Sequence, residues 1–177
     1  MRTETTTRTL YKFDKLSTEG QEKAVERLYD INVGHDWWDC TECELIELGC
    51  EGPLYFDLGR GESISFKVPQ PEETAQKILK DHGETCETFK TAKAYLDALS
   101  DQQQIIELAD DSTDEGYDDC CDAEAAIEEL NDEFTSELQG DYLQILRSEY
   151  EYLTSEEAII ETIYANDYEF TEGGELV

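Results

Sequence analysis

Basic residues are scarce in this chain. Against 45 Asp and Glu there are only 13 Lys and Arg and two His in 177 residues, for a formal net charge of −32. Such a surface repels nucleic acid and anionic membranes and attracts basic grooves, polycations or metal ions. Solubility of a small domain needs a net charge of only about 2–8, and the excess self-repulsion opposes compaction, so the acidity calls for another explanation. Long apolar runs are also missing: none approaches the roughly 20 residues of a membrane helix. The opening Met1-Arg2-Thr3-Glu4 lacks the apolar stretch of a signal peptide. A cytoplasmic protein is therefore expected, with its six cysteines (Cys40, Cys43, Cys50, Cys86, Cys120, Cys121) as reduced thiols. There is no phosphate-cradling glycine loop, no GxSxG and no HExxH, and paired carboxylates mean little at this acid density. No enzyme and no cofactor is expected.

What is present suffices for a core. Hydrophobic residues make up 38% of the chain, with two Trp, ten Tyr and six Phe, enough apolar anchors to keep it from disorder despite its charge. With no internal repeat and no Pro- or Ser-rich linker, a single domain over 1–177 is expected.

The pattern predicts an α+β fold: a small antiparallel sheet packed with several helices. Thr5–Phe13 suits an opening strand. Ser17 or Thr18 caps a helix carrying Ala24, Leu28 and Ile31 and ending near Asn32–Gly34. His35–Leu48 reads as a second helix stopped by Gly49. Pro53–Arg60 and Glu62–Val68 form a hairpin about Gly59-Arg60-Gly61, in one sheet with the first strand. Helices are predicted over Glu72–Asp81, Glu84–Leu99 and around Gln102–Leu108. Asp110–Asp122 is too charged to bury and reads as a loop or a fraying helix end. Ile127, Leu130, Phe134, Leu138, Tyr142 and Ile145 then recur at three or four residues, marking a long acidic amphipathic helix that Gly140 kinks or splits. Ser155 caps a short helix, and Asp167–Phe170 with Glu175–Val177 makes a closing hairpin that rejoins the sheet.

The charge is polarised. Residues 1–93 carry 19 acids and 12 bases, whereas residues 94–177 carry 26 acids and one base, Arg147. On this reading the near-neutral part builds the sheet and most of the core, and the rest presents a charged face. Halophilic adaptation would acidify both parts. On a helical wheel Asp122, Glu128, Glu129, Asp132, Glu133 and Glu137 lie mostly opposite the Ile127/Leu130/Phe134/Leu138 stripe. With Asp110, Asp111, Asp114, Glu115, Asp118 and Asp119 they form the expected partner-binding surface. Its charge density is comparable to that of a DNA strand, about one charge per 3.4 Å. A solvated face with no partner is the bland alternative.

Other candidates are weaker. Counted from Asp111, the acidic segment offers Thr113, Glu115, Gly116 at the sixth place, Asp119 and Asp122, an EF-hand-like order. Asp118 stands where an apolar residue belongs, and the twelfth place lacks a glutamate, so no specific metal site is expected. Cys40-x-x-Cys43 with Cys50, His35, His82 or Cys86 makes an irregular zinc set, and packed thiols are the simpler reading. Trp37 and Trp38 point about 100° apart on a helix, so one is expected in the core and one partly exposed. Both His residues lie near glycine breaks and read as loop or cap residues.

Several stretches together resemble a family of small acidic proteins encoded by phages and mobile elements. They are Tyr11-Lys12-Phe13-Asp14-x-Leu16-Ser17, Ile31-Asn32-Val33 with Asp36-Trp37-Trp38, His82-Gly83-Glu84-Thr85-Cys86-Glu87-Thr88, Lys90-Thr91-Ala92-Lys93-Ala94-Tyr95 and Glu149-Tyr150-Glu151-Tyr152-Leu153-Thr154-Ser155. The family is similar to an anti-CRISPR group that inhibits Cas9 of type II systems. The chain departs from the family pattern at Gly20, Gly59 and Cys40/Cys43, and no contact residue carries over. The resemblance implies Cas9, or another basic nucleic-acid-binding protein, as partner, with its basic channels and Arg-based PAM site as targets for an acidic decoy. The expected function is a DNA-mimicking inhibitor. The alternatives are a calcium-responsive module using 110–122 and a phage accessory protein whose charge solubilises it. Direct binding to nucleic acid is not expected, although Arg2, Arg8, Lys12, Lys15, Lys23 and Arg27 form a small basic cluster.

Overall fold

In a computed structural model, residues 7–109 and 114–177 are described, with 114–119 in backbone only. The fold is α+β: the described residues form six α-helices and four strands. The strands pair in two separate two-stranded antiparallel sheets instead of the one expected. The chain divides into two compact units, residues up to Trp37 with Ser148–Val177, and Trp38–Arg147. These units do not follow the charge boundary at Lys93/Ala94.

In the first unit, β1 (Tyr11–Lys12) leads through a 3-10 turn, Phe13–Lys15, into α1 (Thr18–Arg27). Thr5 and Thr6 of the expected strand lie outside the described residues. Ser17 is the helix cap, its Oγ accepting from the Gly20 amide at 3.2 Å, which satisfies a donor that the first turn leaves unpaired. α1 ends sooner than the pattern implied. The Asn32 side chain donates to the Leu153 carbonyl at 3.0 Å and accepts from the Thr162 hydroxyl at 2.7 Å, so Asn32 is held by these long-range bonds and the segment follows turns instead of extending the helix. Leu28 and Ile31 reach the core from those turns.

The same unit contains α6 (Glu156–Ala165), capped by Ser155 as expected, and β4 (Glu169–Phe170). β4 pairs with β1 through Tyr11↔Phe170 and Lys12↔Glu169. Phe170 also bridges Leu176, so the expected closing hairpin forms and joins the first strand. Phe13, Leu16, Ala24, Ile159, Ile163 and Phe170 build the core here.

The second unit opens with α2 (Asp39–Leu48). It starts later than predicted, because Trp38 occupies the cap position. Gly49 at φ +94 ends it, a conformation that costs glycine little. The predicted hairpin follows as β2 (Glu51–Asp57) and β3 (Ser63–Lys67), with Phe56 opposite Ile64. Next come α3 (Pro71–Asp81) and α4 (Glu87–Leu108). α4 runs unbroken through the region expected to divide it, since no Gly or Pro lies between Leu99 and Gln102.

The segment expected as a loop is helical from Asp114. α5 (Asp114–Leu153) is 40 residues long, or about 60 Å at 1.5 Å per residue, and passes Gly140 without a break. Its residues to Arg147 belong to the second unit and the remainder to the first. The Tyr95 ring of α4 stacks on Phe134 of α5 at 4.5 Å, and the Tyr95 hydroxyl donates to Asn131 Oδ1 at 2.6 Å. Phe134, Leu138, Tyr142 and Leu146 are all buried, each contributing roughly 1.5–3 kcal/mol by apolar burial. With Tyr95, Leu99, Ile159, Ile163 and Phe170 also buried, the buried residues come from both sides of the charge boundary, not mainly from residues 1–93. Among the described residues, no helix is long and apolar enough to cross a membrane.

Candidate functional site

The acidic face of α5 is built by register. Buried Ala123, Phe134 and Leu138, with half-buried Ile127 and Leu130, fix one stripe of the helix inward. At 100° per residue, Asp122, Glu128, Glu129, Asp132 and Glu133 are thereby turned outward, with Glu124 and Glu137 on the flanks of the stripe, and all seven are exposed. Seven carboxylates over the 16 residues from Asp122 to Glu137 give about one charge per 3.4 Å of helix axis, close to the linear density of a single DNA strand. No Lys or Arg lies within this stretch.

Six of the twelve predicted surface residues (Asp122, Glu128, Glu129, Asp132, Glu133, Glu137) thus share one exposed helix surface. Asp114, Glu115, Asp118 and Asp119 stand on the first turns of the same helix. Asp110 and Asp111 lie outside the described residues. Glu124, on the flank of the apolar stripe, joins the surface as a seventh carboxylate.

The sequence reading also missed a groove beside this surface, between α4 and α5. One hollow of about 220 Å³ is lined by Ala94, Tyr95, Ala98, Leu130, Glu133, Phe134 and Glu137. A neighbouring hollow of about 260 Å³ adds Asp101, Gln102, Ala126 and Glu129. The small side chains of Ala94, Ala98 and Ala126 leave this space unfilled. The signal was available, because Ala94/Ala98 and Asp97/Asp101 each recur at a spacing of four on α4.

The remaining candidates resolve differently. A helical backbone over 114–122 stands where a loop was expected, and an EF-hand requires a loop there; Asp111 and Thr113 of that order lie outside the described residues. Cys40, Cys43, Cys86 and Cys121 are exposed and only Cys50 is buried, so Cys40 and Cys43 are not the packed thiols expected. Burial pushes the Cys50 thiol up to about 11, which suppresses its reactivity. His82 is occupied elsewhere: Nδ1 lies 2.7 Å from Thr88 Oγ1 and Nε2 lies 3.5 Å from Glu44. Among the described residues, no group of three or more His, Cys, Asp or Glu is gathered for a metal. Trp37 and Trp38 are both half-buried, so neither is the fully buried residue expected. Trp37 meets Tyr150, and Trp38 lies edge-on to Phe56.

Compared with protein-family models, curated proteins and solved structures, the chain matches none.

Proposed function

We propose that the chain is a non-enzymatic inhibitor that acts in the cytoplasm of a bacterial host. It binds a nucleic-acid-handling protein, most concretely the Cas9 effector of a type II CRISPR system, and blocks DNA engagement by acidic mimicry. The observation that carries this reading is the run of seven exposed carboxylates on Asp122–Glu137, spaced along a rigid helix at about the charge interval of one DNA strand. A helix holds these charges in fixed positions before binding, so little ordering cost opposes association. A groove shaped to follow phosphates gains steering and complementarity from such a surface without any base being read. The choice of Cas9 rests on the sequence resemblance, and its basic DNA channels supply the matching charge.

The test is cleavage of a target duplex by guide-loaded Cas9 in the presence of increasing amounts of the purified chain. The proposal predicts inhibition saturating near one chain per effector and weakening steeply with added salt. Absence of binding to every Cas9 tried would remove the named target. Binding that persists undiminished after neutralising Asp110, Asp111, Asp114, Asp118 and Asp119 together with Glu128, Glu129, Asp132 and Glu133 would remove the mimicry.

A further inference from the structure

The groove between α4 and α5 adds shape to a surface otherwise described by charge. Its floor is apolar and short, formed by Ala94 and Ala98 on one side and Ala126 and Leu130 on the other. Its rim is acidic on both helices. Glu129, Glu133 and Glu137 follow one another every four residues along α5, and Asp101 faces them from α4. Among the described residues, none of these four carboxylates has a basic partner.

The two ends of the groove differ. Beyond Ala94, the α4 surface carries Lys90 and Lys93, which are paired with Glu87 at 2.6 Å and Asp97 at 2.8 Å. There each lysine is matched by a carboxylate, and Glu84 lines the same surface. At the Asp101/Glu129 end the charged lining residues are all carboxylates, and none of them is paired among the described residues. An apolar trough with unpaired carboxylates on its rim fits the apolar face and flanking cations of an amphipathic helix.

We infer that this groove docks a basic amphipathic helix of the protein partner. Small aliphatic side chains of that helix seat between Ala94/Ala98 and Ala126/Leu130, and its Lys and Arg reach Asp101, Glu129, Glu133 and Glu137. This deepens the proposed function, on which it rests for the partner's basic character, and it makes a distinct claim: recognition requires shape and register as well as net charge. A second copy of the chain is a poor occupant, since it brings further carboxylates to the same rim.

Two synthetic peptides of identical composition test this on the full-length chain by fluorescence anisotropy. One places Ala and Leu on a single helical face with Arg flanking it, and the other is a scramble of equal charge. The amphipathic peptide is expected to bind at least about tenfold more tightly, because apolar contacts discriminate where charge alone does not. Ala98→Trp fills the groove without changing charge and is expected to remove that preference, with Ala94→Trp at exposed Ala94 as a second filling variant should the first disturb the fold as read by circular dichroism. Equal binding of the two peptides, or a preference unaffected by both fillings, overturns the groove while leaving the mimicry of Cas9's DNA intact. Selective peptide binding by a chain that no Cas9 recognises retains the groove and removes the target.

Discussion

The Tyr142 hydroxyl of α5 donates a 2.5 Å hydrogen bond to the Glu44 carboxylate of α2. The same carboxylate lies 3.5 Å from His82 Nε2, whose ring meets the Thr88 hydroxyl of α4 through Nδ1. Three helices of the second unit and the residue that ends α3 are thus tied by one polar chain against a Tyr142 ring that is 1% exposed. Tyr142→Phe leaves the packing intact and removes a charge-assisted bond. A loss of about 1.5–3 kcal/mol is expected from chemical denaturation, at the lower end because half-exposed Glu44 recovers part of it from water. An unchanged midpoint would mean that the bond contributes nothing.

Two glycines of opposite character give opposite predictions. Gly174 has φ +74, and a Cβ added there would lie 2.4 Å from the Gly20 carbonyl and 3.0 Å from the Ala24 amide. Gly174→Ala is expected to cost about 2–4 kcal/mol from strain and overpacking. At Gly140, inside α5, a Cβ meets nothing within 4 Å. Gly140→Ala is expected to stabilise by about 0.5–1 kcal/mol. Thermal unfolding of both variants checks the pair.

Alkaline pH should unfold the chain before ordinary tyrosine ionisation is complete. Burial raises the Cys50 thiol from its usual 9.0 to about 11, and burial followed by the Glu44 contact raises Tyr142 above its usual 10.0. In each case the unfolded chain loses its proton first. The stabilisation is whole below pH 9 for Cys50 and below pH 10 for Tyr142, and it drains as pH climbs through those values towards the folded ones. Stability followed across pH 8–11 is expected to fall from about pH 9, with a shallower early fall for Cys50→Ala. A flat profile to pH 11 would contradict this.

Net repulsion should dominate the response to salt. With a net charge of −32 and ion pairs that are mostly solvent-exposed, such as Lys23–Glu19 and Lys93–Asp97, screening removes more repulsion than attraction. The melting temperature is expected to rise between about 0.01 and 0.5 M sodium chloride, as the screening length shrinks from roughly 30 Å towards 3 Å. A fall would show that the surface pairs outweigh the repulsion.

Much of this molecule is legible locally. Ser17 and Ser155 announce their helices, Gly49 marks a stop, Gly59-Arg60-Gly61 places a hairpin, and the Ile127/Leu130/Phe134/Leu138 stripe sets the acidic face. Features decided at long range are not. Nothing near Tyr11 reveals that its partner is Phe170, so the strands were assigned to one sheet. The start of α5 was misjudged because charge was weighed against burial. A helix can start in a charged segment, because its dipole favours acidic residues in the first turn. The α4–α5 groove is not legible because its floor is mostly alanine, which carries no charge pattern, and its existence depends on how two consecutive helices meet.

The most direct measurement is displacement of a labelled PAM-containing duplex from guide-loaded Cas9, comparing the chain with a variant carrying Asp122→Asn, Glu128→Gln, Glu129→Gln, Asp132→Asn, Glu133→Gln and Glu137→Gln. The unaltered chain is expected to release the duplex at near-stoichiometric concentration, and the neutralised variant, equally folded, is expected to leave it bound. A duplex that stays bound in the presence of excess chain, or is released equally by both proteins, would contradict it.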